Sequence, residues 1–296
     1  MELQPAVTVV IPMLNASGHI ATLLDSLWAQ DFEGPWEIIA VDNGSVDGTA
    51  QLTRELLEAP PPKNLLRGEV ILVPSPQGYA TPRNAGARHS RAPLLAFCDA
   101  DGAVDEGWLT AIVRALGDHP LVASAKIYVT DVSKRHSVDP GNDALRLPSL
   151  RGIDFVTTAG MGCSSELFAL LGGFDTHFDC GGEDPDFSLR ARSQFGTEPF
   201  LASDAAYWSS IPKHLRTRFT KGLRDGRAEV RLYVRHRESV LREPSGPLTT
   251  LIDMSVIVWR VLAYPWRRGR SESILREAGC TIGRAIWSIR LGVRCF

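Results

Sequence analysis

Apolar residues fall into two rhythms along the first half of the chain, and the rhythms alternate. Val7 to Pro12 is a mostly β-branched run that predicts a buried strand. Ile20, Leu23, Leu24, Leu27 and Trp28 then recur at helical spacing behind Ser17, a candidate N-cap. Glu37 to Val41 predicts a second strand, which leads through the turn DNGSVDGT into a helix carrying Leu52 and Leu56. Pro60, Pro61 and Pro62 stop that helix. Glu69 to Val73 and Leu94 to Cys98 read as strands three and four. The fourth is entered from a helix that begins near Thr81 and Pro82, because proline is tolerated best in a first helical turn. A helix from Trp108 leads to a strand over Ala123 to Val129. Asp131 to Ser149 is polar and predicts a mobile loop, either one that closes over a ligand or slack surface.

Strands alternating with helices predict an α/β fold: a wound, mostly parallel sheet with helices on both faces. Ligands of such open sheets sit at the carboxyl ends of the strands, so the polar residues just after each strand become the candidates for chemistry.

Composition adds an appendage to this picture. With 296 residues, 44% hydrophobic and 22% charged, the chain can bury a sizeable core and shows no disordered bias, so one large α/β domain with an extension is expected. The five cysteines are scattered without a C-x-x-C pair, which points to neither a zinc site nor a disulfide framework. The opening MELQPAVTVV has no basic segment ahead of its apolar run. It reads as a first strand and not as a signal peptide, with the cytoplasm as the expected compartment.

Charge divides the chain more sharply than the net value of −2 suggests. Residues 1 to 208 carry 14 Lys and Arg against 27 Asp and Glu, whereas residues 209 to 296 carry 18 against 7, so a basic module follows an acidic body. Lys213 to Arg242 combines ten Lys and Arg with Phe219, Leu223, Val230 and Tyr233. This predicts an amphipathic basic helix, either lying on anionic lipid at the inner membrane face or presenting a solvated face. No aromatic stacking platform accompanies it, so nucleic acid is not an expected partner. The later run LTTLIDMSVIVWRVLAYPW is broken by Asp253 and Arg260 and stopped by Pro265. It falls short of the roughly 20 apolar residues that span a bilayer and predicts a packed or interfacial helix.

Four polar stations follow the predicted strands. Asp42 opens the turn after strand two, where it is either an ordinary turn residue or an acceptor for a nucleotide base. Arg83 stands at the start of a helix whose free amides favour anions, suited to a bidentate phosphate contact or to a structural ion pair. Asp99 and Asp101 follow the apolar strand LLAFC directly. Two carboxylates so crowded repel unless a cation neutralises them, and hard oxygen ligands suit Mg²⁺ or Mn²⁺ better than zinc. Glu183, Asp184 and Asp186 precede a helix carrying Phe187 and Leu189. They either cap that helix or supply a general base that takes the proton of an attacking hydroxyl.

Taken in order, VTVVIPMLN, VDNGSVDGT, GYATPRNAGA, FCDADG and GGFD followed by GGEDPDFSLR resemble the GT-A glycosyltransferases of family 2 over about residues 6 to 210. The resemblance implies a GT-A-type Rossmann-like catalytic domain over residues 1–210 and a basic amphipathic helical region over 211–296. It implies an inverting transfer of a sugar from a nucleotide-diphosphate sugar, with uridine as the implied base. The acceptor would be a glycan, a lipid-linked molecule or another small molecule bearing a hydroxyl. Pro12 and Asn15 would lie near the nucleotide, Asp42 would read the base and Arg83 would stand beside the nucleotide and its phosphates. Asp99 and Asp101 would bind the metal, Mn²⁺ or Mg²⁺ as cofactor, and Asp99 would also contact the donor sugar. Asp184 would be the general base, and Glu183 would contact acceptor or donor sugar.

One departure from the family pattern stands out. Many relatives carry a histidine shortly after the Glu-Asp helix that helps bind metal or diphosphate, and here Trp208 or Ser209 takes its place, with His214 a few residues late. Two other classes compete with the transferase. Nucleotidyl transfer to a sugar phosphate usually needs a Gly-rich, basic loop after strand one, where this chain offers only NASG. A non-catalytic nucleotide-sugar binder or membrane scaffold is the third.

Overall fold

The computed structural model describes residues 3–60, 62, 64–74, 78–129, 131–137, 147–150, 152–178, 181–210, 214–237 and 271–291. The first apolar run becomes β1 (Val7–Met13), the second β2 (Trp36–Asp42), and β3 (Leu65–Leu72) and β4 (Leu94–Phe97) follow. Next come β5 (Gly102–Val104), β6 (Leu121–Val129), the short pair β7 (Ser149–Leu150) and β8 (Ile153–Asp154), β9 (Met161–Ser164) and β10 (Phe200–Ser210). Between them lie α1 (Ile20–Trp28), α2 (Thr49–Leu57), α3 (Ala80–His89), α4 (Trp108–Leu116), α5 (Ser165–Leu170) and α6 (Glu183–Phe195).

Eight strands form one sheet in the order β3-β2-β1-β4-β9-β6-β10-β5. The β1/β2, β1/β4, β2/β3 and β6/β10 pairs are parallel; β9 runs antiparallel to both β4 and β6, and β5 antiparallel to β10. Side chains alternate across the pleat, and each face is covered. Val9, Ile11 and Ile38 pack with Leu23, Leu27, Trp108 and Ile112 of α1 and α4. Val10, Ile39, Val41 and Phe97 pack with Ala85, Phe168 and Phe187 of α3, α5 and α6. Each fully buried apolar side chain of this kind contributes about 1.5–3 kcal/mol, so both layers hold the sheet firmly. The predicted wound, mostly parallel sheet with helices on both faces is present.

Local expectations differ at a few places. Helix α1 begins at Ile20 with His19 at its N-cap, so Ser17 does not cap it. The Ser17 amide instead donates to Asp47 Oδ2 at 3.0 Å, which ties the turn after β1 to the turn after β2. Strands β5, β7, β8, β9 and β10 have no counterpart in the sequence reading. Of the predicted mobile loop, Val132–Ser137 is a 3-10 helix, while residues 138–146 lie outside the described residues, as does the apolar run 248–266.

The chain forms two compact units, Met1–Asp179 with Glu183–Ile211, and Cys180–Gly182 with Pro212–Phe296. The second unit contains α7 (Leu215–His236) and α8 (Ser271–Leu291). These helices touch backbone to backbone: a Cβ at Gly222 would stand 2.1 Å from Arg276 O, and one at Gly226 2.1 Å from Cys280 O. Small residues four apart permit such approach. Asp225 pairs with Arg276 at 2.7 Å and Glu229 with Arg284 at 3.5 Å across the contact. Among the described residues no helix is long and apolar enough to cross a membrane.

Candidate active site

The carboxyl ends of β2, β1 and β4 are neighbours in the sheet, and the predicted residues gather there. At the end of β2, Asp42 is buried and pairs in register with Met13, as Val41 does with Pro12. Asp42 Oδ2 accepts from the Ser45 amide at 3.2 Å, but its Oδ1 is buried without a hydrogen-bond partner. Asn15 adopts a positive φ of 50°, from which its Oδ1 accepts the Val46 amide at 3.0 Å and its own amide donates to Ser45 Oγ at 2.9 Å. Asp47 fastens the same turns. Hydrogen bonds from the Thr49 hydroxyl and from Ser17 hold its carboxyl well below the usual carboxylate range. The turns after β1 and β2 are therefore latched together beside one open, buried acceptor oxygen.

Arg83 draws a second group together. Although buried in α3, it donates from Nη2 to Asp99 Oδ1 at 2.6 Å, and from Nη1 to Glu183 Oε1 at 3.1 Å and to Tyr79 O at 3.0 Å. The turn after β4 and the first turn of α6 thus meet on one guanidinium. Burial opposes its charge, but Asp99, Glu183 and Asp184 together raise its pKa further above the ordinary arginine value. Of the two alternatives left open for Arg83, the structure forms the ion pair.

One cation does not balance the acids around it. Glu183 Oε2, Asp184 Oδ1 and Arg83 Nε are all buried without a hydrogen-bond partner. Burial raises the pKa of Glu183, with Asp184 adding to it and Arg83 opposing. Burial likewise raises Asp184, against the pull of Arg83. Asp101 is raised first by burial and then by the Asp99 charge, with His19 and Lys126 working the other way. Lys126 of β6 also acts on Asp184, so it is a cation of this cleft that no sequence motif announced. The cleft holds more buried carboxyl groups than cations, and their raised pKa values mark acids that would be favoured in the charged form by a divalent cation and that take up a proton readily.

Among the described residues no group of three or more His, Cys, Asp or Glu side chains could hold a metal ion by itself. Asp99 and Asp101 nevertheless fit Mn²⁺ or Mg²⁺, since such ions are usually held by one or two carboxylates together with substrate phosphates and water. The position opposite the usual histidine is otherwise engaged. Trp208 Nε1 donates to Asp105 Oδ1 at 2.7 Å, and Ser209 pairs with Gly102 in the β10/β5 ladder. His214 precedes α7 in the second unit.

Asp186 separates from its two neighbours. It is fully buried and accepts from Arg190 Nε at 2.7 Å, while Arg190 donates to Leu171 O at 2.6 Å and Gly173 O at 2.8 Å. The i, i+4 spacing of this pair was visible in the sequence and marks a structural role. Tyr207 was missed entirely. It is buried in β10, and its hydroxyl accepts from the Asp99 amide at 3.2 Å and donates to Asp99 O at 3.1 Å.

Comparison with known proteins bears on the family and the fold. A family model described as Glycosyl transferase family 2 matches residues 8–171. Glycosyltransferase AglE of Haloferax volcanii is 34% identical over 106 residues, covering 36% of this chain and 33% of that protein. Dolichyl-phosphate beta-glucosyltransferase ALG5C of Trichomonas vaginalis is 35% identical over 108 residues, covering 33% of this chain and 31% of that protein. The matched segment thus spans about a third of these relatives' length. Among solved structures, the mannosyltransferase PcManGT of Pyrobaculum calidifontis, in complex with GDP-Man and Mn²⁺, superposes with a TM-score of 0.69 at 19% identity, over 97% of this chain and 87% of that one. S. aureus TarS in complex with UDP superposes with a TM-score of 0.53 at 15% identity, over 97% and 91%. With more than half of its length matched by the family model and its sheet shared with these enzymes, the chain belongs to glycosyl transferase family 2.

Proposed function

We propose that this chain transfers a sugar from a nucleoside diphosphate sugar to an acceptor hydroxyl, inverting the anomeric centre, with Mn²⁺ or Mg²⁺ as cofactor. The observation that carries this reading is the buried meeting of Arg83 with Asp99 and the Glu183–Asp184 pair at the carboxyl edge of the sheet. Pro12 and Asn15 line the nucleotide side, and the unpartnered Asp42 Oδ1 takes a donor from the base, assigned here as uracil. Arg83 exchanges its Asp99 contact for a diphosphate oxygen when the donor enters. Asp99 and Asp101 would hold the metal, which when bound would stabilise the negative charge that grows on the departing nucleotide.

Asp184 accepts the proton from the acceptor hydroxyl. The acceptor oxygen bonds to the anomeric carbon as the bond from that carbon to the diphosphate breaks, so the electron pair leaves with the nucleotide. Burial makes the Asp184 carboxylate more basic than a surface aspartate, which strengthens it as a base near neutral pH. Glu183, shared with Arg83, contacts the sugar.

The acceptor is assigned as a glycan or a lipid-linked molecule met at the inner face of a membrane. In support, Ile282, Ile286 and Ile289 form one face of α8 and are 37%, 43% and 80% exposed, in a region with 18 Lys and Arg against 7 Asp and Glu. Failure to sediment with anionic phospholipid vesicles at low salt would remove that contact from the proposal.

Nucleotide release from UDP- and GDP-sugars with Mn²⁺, measured over an acceptor panel, tests the reaction. Asp184→Asn should release nucleotide about 10²- to 10⁴-fold more slowly, the usual contribution of a general base. Unchanged release would sink the assigned base, and pyrophosphate formed from a nucleoside triphosphate would point to nucleotidyl transfer.

A further inference from the structure

Asp99 lies beyond the last β4 residue, Phe97, so its peptide must find partners outside the strand ladder. The Tyr207 hydroxyl provides them, accepting from Asp99 N at 3.2 Å and donating to Asp99 O at 3.1 Å. Asp99 O also accepts from the Gly102 amide at 3.1 Å, which closes the turn that contains both carboxylates. Gly102 in turn makes room for the phenol: a Cβ there would stand 2.0 Å from Tyr207 Oη and 3.0 Å from Trp208 O. Strand β10 thus carries a hydroxyl to the underside of the turn, and β5, antiparallel to β10, begins at the glycine that admits it.

We infer that Tyr207 is a positioning residue whose hydroxyl fixes the Asp99 peptide, so that Asp99 and Asp101 keep the spacing at which they share one divalent cation with a nucleoside diphosphate. This inference rests on the donor-site reading above. Tyr207 touches neither metal nor substrate; it acts through the backbone, as the groups behind first ligands commonly do. Replacing it with Phe retains the buried ring, removes one oxygen and leaves the Asp99 amide without its acceptor.

The test is calorimetric binding of UDP and of GDP to the full chain, each with Mn²⁺ and with EDTA. Tyr207→Phe should lose about 10- to 100-fold of the Mn²⁺-supported affinity, the usual cost of removing a group behind a metal ligand, with the EDTA value unchanged. Ser26→Ala is the matched control. Its buried hydroxyl also accepts a backbone amide, Val104 N at 3.1 Å, and donates to a backbone carbonyl, Leu23 O at 2.7 Å, so it anchors the far end of β5, opposite Tyr207 in the ladder, and not the Asp99 peptide. That variant should lower Tm comparably while keeping the full effect of Mn²⁺.

Should Tyr207→Phe fail to fold, Gly102→Ala decides in its place, since the added methyl displaces the same hydroxyl and should produce the same loss. Retention of the full Mn²⁺ effect in the folded variant, or an equal loss in Ser26→Ala, overturns the positioning role. If the unaltered chain binds neither nucleotide more tightly with Mn²⁺, the donor-site reading is what fails, and the positioning role falls with it.

Discussion

Two buried arginines on neighbouring helices meet carboxylates in opposite ways. Arg190 is closed: Nε goes to Asp186, Nη1 to Leu171 O and Nη2 to Gly173 O, so one residue staples α6 to the loop after α5. Arg83 is open: its Nε is buried without a partner, and unpartnered oxygens of Glu183 and Asp184 lie buried in the same site. Both side chains are almost wholly shielded from water, so burial does not distinguish them. Each makes three hydrogen bonds; what differs is that all three Arg190 nitrogens are engaged, whereas Arg83 Nε and the oxygens beside it are not. A saturated ion pair holds structure, whereas an unsaturated one keeps capacity for a ligand.

The sharpest way to break that contrast is to remove each guanidinium in turn. Arg190→Met leaves Asp186 buried without its cation and should cost about 3–5 kcal/mol, seen as a fall in Tm of roughly 10 °C in a thermal melt. Arg83→Met should lower Tm less, because its acidic neighbours can take up protons in place of the lost charge. It should instead weaken Mn²⁺-supported nucleotide binding at least about tenfold, read by calorimetry. Equal Tm losses with unaltered nucleotide binding would erase the distinction.

A smaller effect sharpens it further. Burial, with the Asp184 charge, pushes Glu183 up to about 8, well above its ordinary value of 4.5. A carboxyl raised on folding favours the protonated native state. Its stabilising contribution is complete below about pH 4.5 and fades as pH climbs toward 8. Glu183→Gln cannot titrate, so its Tm should decline less than that of the unaltered chain between pH 5 and 8, by a difference under about 5 °C. The two carboxyls titrate together, so the curve reports the pair and not one residue.

The contrast also explains which parts of the molecule could be read in advance. Strands β1, β2 and β4 were legible because buried parallel strands are written as continuous apolar runs and their helices as amphipathic repeats, whereas β3, half-exposed at the sheet edge, starts at Leu65 and not at Glu69 as read. Met161–Ser164 was not, since four residues that include Gly162 show no rhythm, although they form the strand between β4 and β6. The candidate residues Asp42, Arg83, Asp99 and Asp184 could be named because each follows a strand or opens a helix. Tyr207 could not, because its meaning depends on β10 meeting β5 beneath a turn about a hundred residues away, a tertiary fact with no local signature.

Strand β9 also bears on how the chain comes to be assembled. It sits between β4 and β6, pairing Leu94 with Ser164 and Leu121 with Cys163, so the two halves of the sheet share no direct ladder until residues 161–164 arrive. A chain emerging from synthesis would expose the hydrogen-bonding edge of β4 through all the intervening residues, and such an edge invites pairing with other chains. The carboxylates after β4 and those opening α6 meet on Arg83, and β9 completes the sheet beneath them. Cover for the β4 edge and completion of the sheet under the candidate site therefore depend on the same four residues.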